Sequence, residues 1–496
     1  MTIPYTDFII SRVNYKATFM IGRVNYKSVM KNEDMMIKYR TLDIDGLWNK
    51  IGVLDIILKE LVQRSAVKKI TERFHTDHVE IITGPRQSGK TTLLMLLVHE
   101  LSLRDIPHPQ VYYINLDTIL DLERFKDPLL LAHQINRNRR GRERVYFFID
   151  EVQRLENPGR FLKGIYDLGE NIKLFATGSS SLELRSKIKE FLTGRKRETR
   201  VLPLSFKEYI NHDKKIPARL DEVKFAESSS TYWQQNQQSY GPYLTRVMEE
   251  MAIYGGYPAV LTANEPRRRG EELEEIYLSY IKKDIVEFLK VGKADVFSRL
   301  VKVLASQVGN LVNKSGICSL LGSNAITVTK YMEILEETYI TRYLPPFTGT
   351  KRSEIKSTPK GFFIDNGLRN YAVRQFNELN HRMDKGALVE NLIFTELAKD
   401  YQLTKEEFFY WRTKGGAEID FVLPGKNGVI PVEIKSGSAK AGLLSRSFHS
   451  FLEAFSPATA IFLNRDLFHI EKLHNTRVYY IPNHWFLLYG LGIINN

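Results

Sequence analysis

The chain has 496 residues, of which 43% are hydrophobic and 26% charged, a balance that supports packed cores and excludes wholesale disorder. At about 150 residues per domain, that length accommodates roughly three domains. A formal net charge of +13 raises the expectation of a nucleic acid or other polyanion as partner, with a basic surface kept for solubility as the plainer alternative, while the single cysteine, Cys318, excludes a disulfide framework and a cysteine-based metal site.

Residues 1–64 read as an N-terminal extension. It carries a short repeat, Arg12 to Lys16 and again Arg23 to Lys27, and Met35 and Met36 precede Ile37 as if the segment before them came from an upstream start. No apolar run in the chain approaches the ~20 residues of a bilayer span, and the N-terminus lacks the apolar stretch of a signal peptide. The expectation is a cytoplasmic chain with no membrane partner.

From Val79 the pattern alternates buried strands with helices: Val79 to Thr83, Thr91 to Leu103, Val111 to Leu116, Val145 to Asp150 and Lys173 to Thr177. Such alternation predicts an α/β unit with a parallel sheet, placed at residues 65–290. Between the first strand and its helix lies Gly84-Pro85-Arg86-Gln87-Ser88-Gly89-Lys90-Thr91, which fits G-x-x-x-x-G-K-[ST]. Residues Gly84 to Thr92 would cradle nucleotide phosphates through backbone N–H groups. Lys90 would bring positive charge to the β and γ oxygens, and the Thr91 hydroxyl would face Mg²⁺ at the helix N-terminus.

The strand Val145 to Ile149 ends in Asp150-Glu151. That spacing assigns Asp150 to the metal and Glu151 to the attacking water, so ATP and Mg²⁺ are the expected cofactors. The next strand ends in Gly178-Ser179, and Ser179 is a candidate polar sensor for the γ-phosphate. Arg195 reads either as an arginine finger or as part of a solvated basic cluster with Lys196, Arg197 and Arg200. Arg137 to Arg144, Arg267 to Arg269 and Lys351-Arg352 are further basic clusters. Ser228 to Gly241, rich in Ser, Gln and Asn, reads as a linker or surface loop, and Tyr254-Gly255-Gly256-Tyr257-Pro258 as a tight turn before a helical stretch from Arg267.

Residues 291–350 read as helix, short helix (Ser315 to Leu321), a turn with Asn324 as N-cap, a third helix and a strand (Tyr339 to Leu344), the order of a winged helix-turn-helix. Ile326, Tyr331 and Leu335 would point inward, and Thr327 and Lys330 outward. Residues 351–496 read as a third, α/β unit. It starts at Gly361 to Asp365 and continues with a helix from Lys385 to Tyr401. Strands follow at Phe408 to Arg412, Glu418 to Leu423, Val429 to Lys435, Ala458 to Leu463 and Arg477 to Ile481.

Taken together, the phosphate loop, Ile149-Asp150-Glu151-Val152-Gln153, Thr177-Gly178-Ser179-Ser180, Gly194-Arg195, Pro203-Leu204-Ser205-Phe206, the Tyr254 to Pro258 turn and Phe363-Ile364-Asp365-Asn366-Gly367-Leu368 resemble an AAA-like P-loop ATPase family of archaea and bacteria with a DUF4143-type C-terminal region. The resemblance runs from about residue 65 onward. It implies a nucleotide-driven module, and a C-terminal unit similar to the PD-(D/E)xK restriction-endonuclease-like fold.

The residues of that unit bear on the second implication. Glu418-Ile419-Asp420 and Glu433-Ile434-Lys435 lie on adjacent strands joined by a hairpin at Pro424 to Pro431. Period two sets each pair on one face, so Asp420 and Glu433 would flank Mg²⁺ or Mn²⁺, with Lys435 near a scissile phosphate and Glu390 adding a carboxylate from the helix. A salt-bridge network without metal is the alternative. The resulting expectation is an ATP-hydrolysing protein acting on or regulated by DNA, possessing a metal-dependent nuclease domain and working alone or as a homo-oligomer. The other reading is a nucleotide-dependent switch or scaffold that binds a protein partner, with the nuclease-like domain inactive and serving as a docking surface.

Overall fold

The computed structural model describes residues 61–104, 106, 110–117, 127–129, 131, 143–169, 171–179, 192–213, 215, 230–279, 281, 294–348, 358–404 and 407–494. All belong to the compact unit spanning Asp55–Asn496. The N-terminal repeat, Arg137 to Arg142 and Lys351-Arg352 lie outside the described residues.

Five strands form the first sheet: β1 (Val79–Gly84), β2 (Val111–Asn115), β3 (Val145–Asp150), β4 (Ile172–Ser179) and β5 (Lys196–Arg200). Their order is β2-β3-β4-β1-β5 and every pairing is parallel. A parallel sheet is covered on both faces, which is why β1 and β3 are buried along their whole length instead of alternating. Phe148 and Phe175 stack across it at 4.5 Å. Since all five strands run the same way, their C-terminal ends share one edge. Gly84 lies opposite Ser179, and Asn115 opposite Asp150.

Helix α1 (Lys90–Ser102) leaves the sheet directly after β1. Further along the chain, the stretch read as a linker from Ser228 to Gly241 is mostly helix: α2 runs Ser230–Tyr254 and carries Pro242 within it. Its polar residues cover an outer face, while Trp233, Leu244, Val247, Met251 and Ala252 form a buried stripe. The partners of that stripe lie more than 200 residues away, with Trp233 packing against Phe468 at 5.1 Å and Trp485 at 5.4 Å.

After the helices Pro258–Leu261 and Pro266–Tyr277 come α3 (Ala294–Ser306), α4 (Lys314–Leu321) and α5 (Ala325–Glu337). Asn324 caps α5 by accepting from Thr327 N at 2.8 Å. Val328, Tyr331 and Leu335 face inward, but Ile326 is 83% exposed, contrary to its expected burial. It sits two residues after the cap, where the helix has not yet reached the core. After α5 come β6 (Thr341–Leu344) and β7 (Lys360–Phe363), an antiparallel pair. The strand assigned by sequence to the third unit therefore completes the ribbon of the helical one.

Beyond it, α6 (Lys385–Thr404) precedes β8 (Phe409–Arg412), β9 (Glu418–Gly425) and β10 (Gly428–Ile434), an antiparallel meander. Helix α7 (Arg446–Phe455) leads to β11 (Thr459–Asn464), parallel to β10, and β12 (His469–Leu473) and β13 (Thr476–Pro482) complete a six-stranded sheet. Strand β12 had no sequence signal. It is a half-exposed edge whose short alternation, His469-Ile470-Glu471-Lys472, contains a single aliphatic residue before Leu473. One core joins Leu204, Phe206 and the α2 stripe to Phe421, Val432 and Trp485.

Candidate nucleotide site and a carboxylate cluster

The loop after β1 is shaped by how closely the chain passes itself. Gly84 has φ +155°, and a Cβ there would lie 2.1 Å from Val201 O, so no side chain fits. Lys90, buried at the start of α1, turns back over the loop and donates to Gly84 O at 3.2 Å and Pro85 O at 2.9 Å. Ser88 closes the turn by donating to Pro85 O at 2.9 Å.

Asp150, 1% exposed at the end of β3, gathers hydroxyls from three elements. Thr91 donates to its Oδ2 at 2.7 Å, Tyr113 at 3.1 Å, and Thr177 to its Oδ1. The Thr177 hydroxyl also accepts from Glu151 N at 3.0 Å, holding Glu151 in a left-handed turn at φ +59° with its carboxylate bonded to the Gln153 amide. Thus Lys90, Thr91, Asp150 and Glu151 are brought to one sheet edge. Ser179 lies beside Gly84 in the backbone register, and its side chain lies outside the described residues.

Arg195 is placed elsewhere. Its carbonyl accepts from Val79 N, at the opposite end of β1 from the phosphate loop. Five residues of strand at about 3.3 Å each separate the two ends. Its guanidinium pairs with Asp167 Oδ1 at 2.6 Å over the Tyr166 ring. The finger role within one chain is therefore corrected: parallel register fixes Arg195 at the wrong edge, and only a second copy can bring one to the loop.

Sequence reasoning missed three residues here. Tyr113 and Thr177 lie on the two strands flanking β3, Thr177 two residues before the end of β4, a place in a parallel sheet that was itself a usable signal. Arg64 had none. It donates to Ser88 O at 2.8 Å and Leu202 O at 2.6 Å and pairs with buried Glu208, tying the phosphate loop to the Pro203 to Phe206 segment.

That segment is in turn fastened to the C-terminal unit. Phe206 N donates to Glu396 Oε2 at 2.9 Å and the Lys399 ammonium to Leu204 O at 2.9 Å, both partners lying on α6. Leu204 N donates to Gly256 O at 2.7 Å, and Gly256 N to Asp365 Oδ2 at 2.7 Å. A Cβ on Gly255, which has φ +77°, would come within 2.2 Å of the Asp365 carboxylate. Asp365 also caps the helix Asn366–Val373 by accepting from Leu368 N at 3.0 Å, so it and the Tyr254 to Pro258 turn are two halves of one lock, and burial raises its carboxyl above the ordinary range.

Helix α6 also carries Glu390 toward β9 and β10. Asp420 accepts from Ile434 N at 2.7 Å, and Glu433 accepts from Lys435 Nζ at 2.7 Å and Ser445 Oγ at 2.7 Å. The Lys360 ammonium, 3% exposed, lies 3.0 Å from Glu390 Oε1 and 2.6 Å from Glu418 Oε1. Burial pushes Glu390 up to about 7 despite Lys360, and raises Asp420 as well. Burial works against the Lys435 ammonium, but the adjacent Glu433 outweighs it and the group is raised. Among the described residues, no three His, Cys, Asp or Glu side chains are gathered as metal ligands. Sequence reading supplied Glu390, Asp420, Glu433 and Lys435, but not Lys360, which lies on another unit's ribbon.

In the helical unit, Lys330 is exposed and Thr327 half-buried, and Ile326 and Leu320 (60% exposed) are exposed apolar side chains. Arg267 and Arg268 are exposed with Glu271 and Glu265 as partners, whereas Arg269 pairs with Glu250 and lies over the Tyr254 ring. No described helix is long and apolar enough to cross a membrane.

Comparison with known proteins matches residues 76–210 to an AAA domain, 245–379 to a domain of unknown function (DUF8612) and 385–484 to a domain of unknown function (DUF4143). An uncharacterized protein of Haemophilus influenzae is 28% identical over 334 residues, 65% of this chain and 75% of that one. One of Methanocaldococcus jannaschii is 26% identical over 392 residues, 76% of this chain and 80% of that one. Among solved structures, that of Saccharomyces cerevisiae RIF2 covers 46% of this chain and 87% of that chain at 15% identity and a TM-score of 0.25, a likeness too slight to carry a functional argument. The phosphate loop thus lies inside the residues matched to an AAA domain, and the six-stranded sheet inside those matched to DUF4143, so the chain is similar to AAA-type P-loop proteins in its first sheet and to DUF4143 domains in its second.

Proposed function

We propose that the protein hydrolyses ATP with Mg²⁺ and that its C-terminal domain acts on, or is controlled by, DNA. The observation that carries the first part is the hydroxyl network on Asp150: Thr91, Tyr113 and Thr177 orient its carboxylate beside the phosphate loop before any ligand arrives. A hydroxyl next to a carboxylate is a hard oxygen donor set that suits Mg²⁺, so Thr91 and Asp150 are the residues to hold it. Bound Mg²⁺ neutralises charge on the β and γ phosphates. Lys90 adds its own charge there, exchanging two loop carbonyls for phosphate oxygens, and Glu151 orients water from its fixed turn. Ser179 is the candidate γ-phosphate sensor.

The DNA reading is supported by the net charge of +13, by exposed Lys330 on α5 and by carboxylates on adjacent strands of the C-terminal sheet. A second reading, a nucleotide-dependent switch for a protein partner, is favoured by Leu320 on α4 and Ile326 on α5, two exposed apolar side chains of the helical unit. One experiment separates them: ATPase rate with and without single- and double-stranded DNA at two salt concentrations, with a gel for cleavage. Salt-sensitive stimulation by DNA supports the first reading. Basal ATPase unaffected by any DNA overturns it in favour of the second.

A further inference from the structure

Arg64 lies in the stretch that reads by sequence as an N-terminal extension, yet its buried guanidinium is committed, through each of its nitrogens, to the phosphate-loop end of the first sheet. Nη1 donates to Ser88 O at 2.8 Å, Nη2 to Leu202 O at 2.6 Å and Nε to Glu208 Oε1 at 3.3 Å. Burial pushes the Glu208 carboxyl up, but the Arg64 guanidinium and the Ser205 and Ser65 N–H groups outweigh it and hold the group below its ordinary range. A buried cation is tolerable when paired in this way, and its planar fork then sits in one orientation against two carbonyls.

The bond to the Ser88 carbonyl is the one with a chemical consequence. In a trans peptide the C=O and the following N–H point to opposite sides of one plane, so holding the Ser88 carbonyl turns the Gly89 N–H away from the guanidinium. Gln87 and Gly89 are both left-handed, at φ +58° and +95°. Such residues turn successive N–H groups of a loop toward one concave side, the form of a backbone anion nest. Gly89 also gives the guanidinium room, since a Cβ there would lie 3.2 Å from Arg64 Nη1. A rotated Ser88–Gly89 peptide would present a carbonyl oxygen to an anion where the N–H should be.

We propose that Arg64 is a positioning residue for ATP: by holding the Ser88 carbonyl it keeps the Gly89 N–H aimed at the nucleotide phosphates. The proposal deepens the reading of the phosphate loop as an ATP site and rests on it. A backbone N–H that meets phosphate equally in the ground state and the transition state contributes uniform binding, so its loss raises KM and leaves kcat nearly as it was. An arginine that only stabilises the fold has the opposite signature. Its loss lowers the fraction of folded molecules, and with it the apparent kcat, at an unaltered KM.

Steady-state ATP hydrolysis by the full chain with Mg²⁺, with melting temperatures recorded alongside, tests this. Arg64→Ala is expected to raise KM about 10-fold or more, with kcat within about threefold of wild type. Arg64→Lys keeps the charge beside Glu208 and the buried stem but has no fork, so it is expected to raise KM as well, and it carries the test if Arg64→Ala does not fold. Lys399→Met is the control. It frees the Leu204 carbonyl from α6 without touching Ser88, and is expected to lower the melting temperature at a wild-type KM. A wild-type KM in a folded Arg64 variant overturns the proposal, as does a fall in kcat at constant KM. An equal rise of KM in Lys399→Met overturns it too, since the segment after β5 and not the Ser88 peptide would then set affinity. Wild-type protein that neither binds nor hydrolyses ATP removes the nucleotide reading itself, and this role with it, before any variant is compared.

Discussion

Thr91 donates its hydroxyl to Asp150 across 2.7 Å, joining the first turn of the helix after the phosphate loop to the last residue of β3. The phosphate-loop end of the sheet is therefore braced by its own side chains, and in the proposed function Lys90 is the group whose partners change when ATP binds. Lys90→Ala is expected to weaken ATP about 10- to 100-fold, the worth of charge-assisted hydrogen bonds at about 1.5–3 kcal/mol, while circular dichroism stays that of wild type. Titration calorimetry with a non-hydrolysable analogue measures it; unchanged affinity would remove Lys90 from the site.

The turn at Glu151 is held by its backbone, through Thr177, while its carboxylate accepts from the neighbouring Gln153 amide, a bond that a glutamine can also accept. Glu151→Gln therefore keeps the turn and leaves Asp150 and Thr91 in place. ATP affinity is expected to stay near wild type while turnover falls by about 10²- to 10⁴-fold, the usual worth of a positioned base. Parallel loss of binding and turnover would show that Glu151 and Asp150 have been assigned the wrong roles.

Arg195→Ala is expected to cost less than about 1 kcal/mol of stability, because its bond to Asp167 is a half-exposed surface pair. In dilute protein its turnover should match wild type, since the residue lies at the far edge of the sheet from the loop. A finger contributes about 10³-fold or more to turnover. A loss of that size, appearing only at concentrations where chains associate and reversed by mixing with Lys90→Ala, would mean that a second copy supplies Arg195.

His484, 1% exposed, is pushed down to about 3 by burial. The Gln237 Oε1 acceptor 2.9 Å from Nε2 makes that nitrogen the donor, leaving Nδ1 to accept from Thr245. The folded protein keeps this ring neutral, whereas the unfolded chain protonates it below about 6.5. Stability from this group is therefore whole above that pH and is lost as pH falls toward 3, by about 2 kcal/mol at pH 5. Urea unfolding at pH 8 and pH 5 should show a smaller drop for His484→Gln than for wild type. Equal drops would place the acid sensitivity in other groups.

The phosphate-loop edge of the sheet was legible because its information is local. Eight consecutive residues define the phosphate loop, an apolar strand ends in Asp150-Glu151, and parallel pairing brings such ends to one side without further instruction. The β9–β10 hairpin was legible for the same reason, with alternating faces set by the pleat.

What only the tertiary structure decided depends on partners distant in sequence. Register along β1 and β5 sets Arg195 at the far end of the sheet from the phosphate loop. A polar stretch became helix α2 because Trp233 found Phe468 and Trp485, and hydrophobic burial by residues that far along the chain overrides local propensity. The carboxylates Glu390, Glu418 and Asp420 could be named from their strands and helix, but the cation among them comes from β7, 30 residues before Glu390 and 58 before Glu418. Charge patterning along a chain states which groups are acidic. Which cation lies within 3 Å of them is set by how separate units pack, because Coulomb energy depends on distance in space and not on separation in sequence.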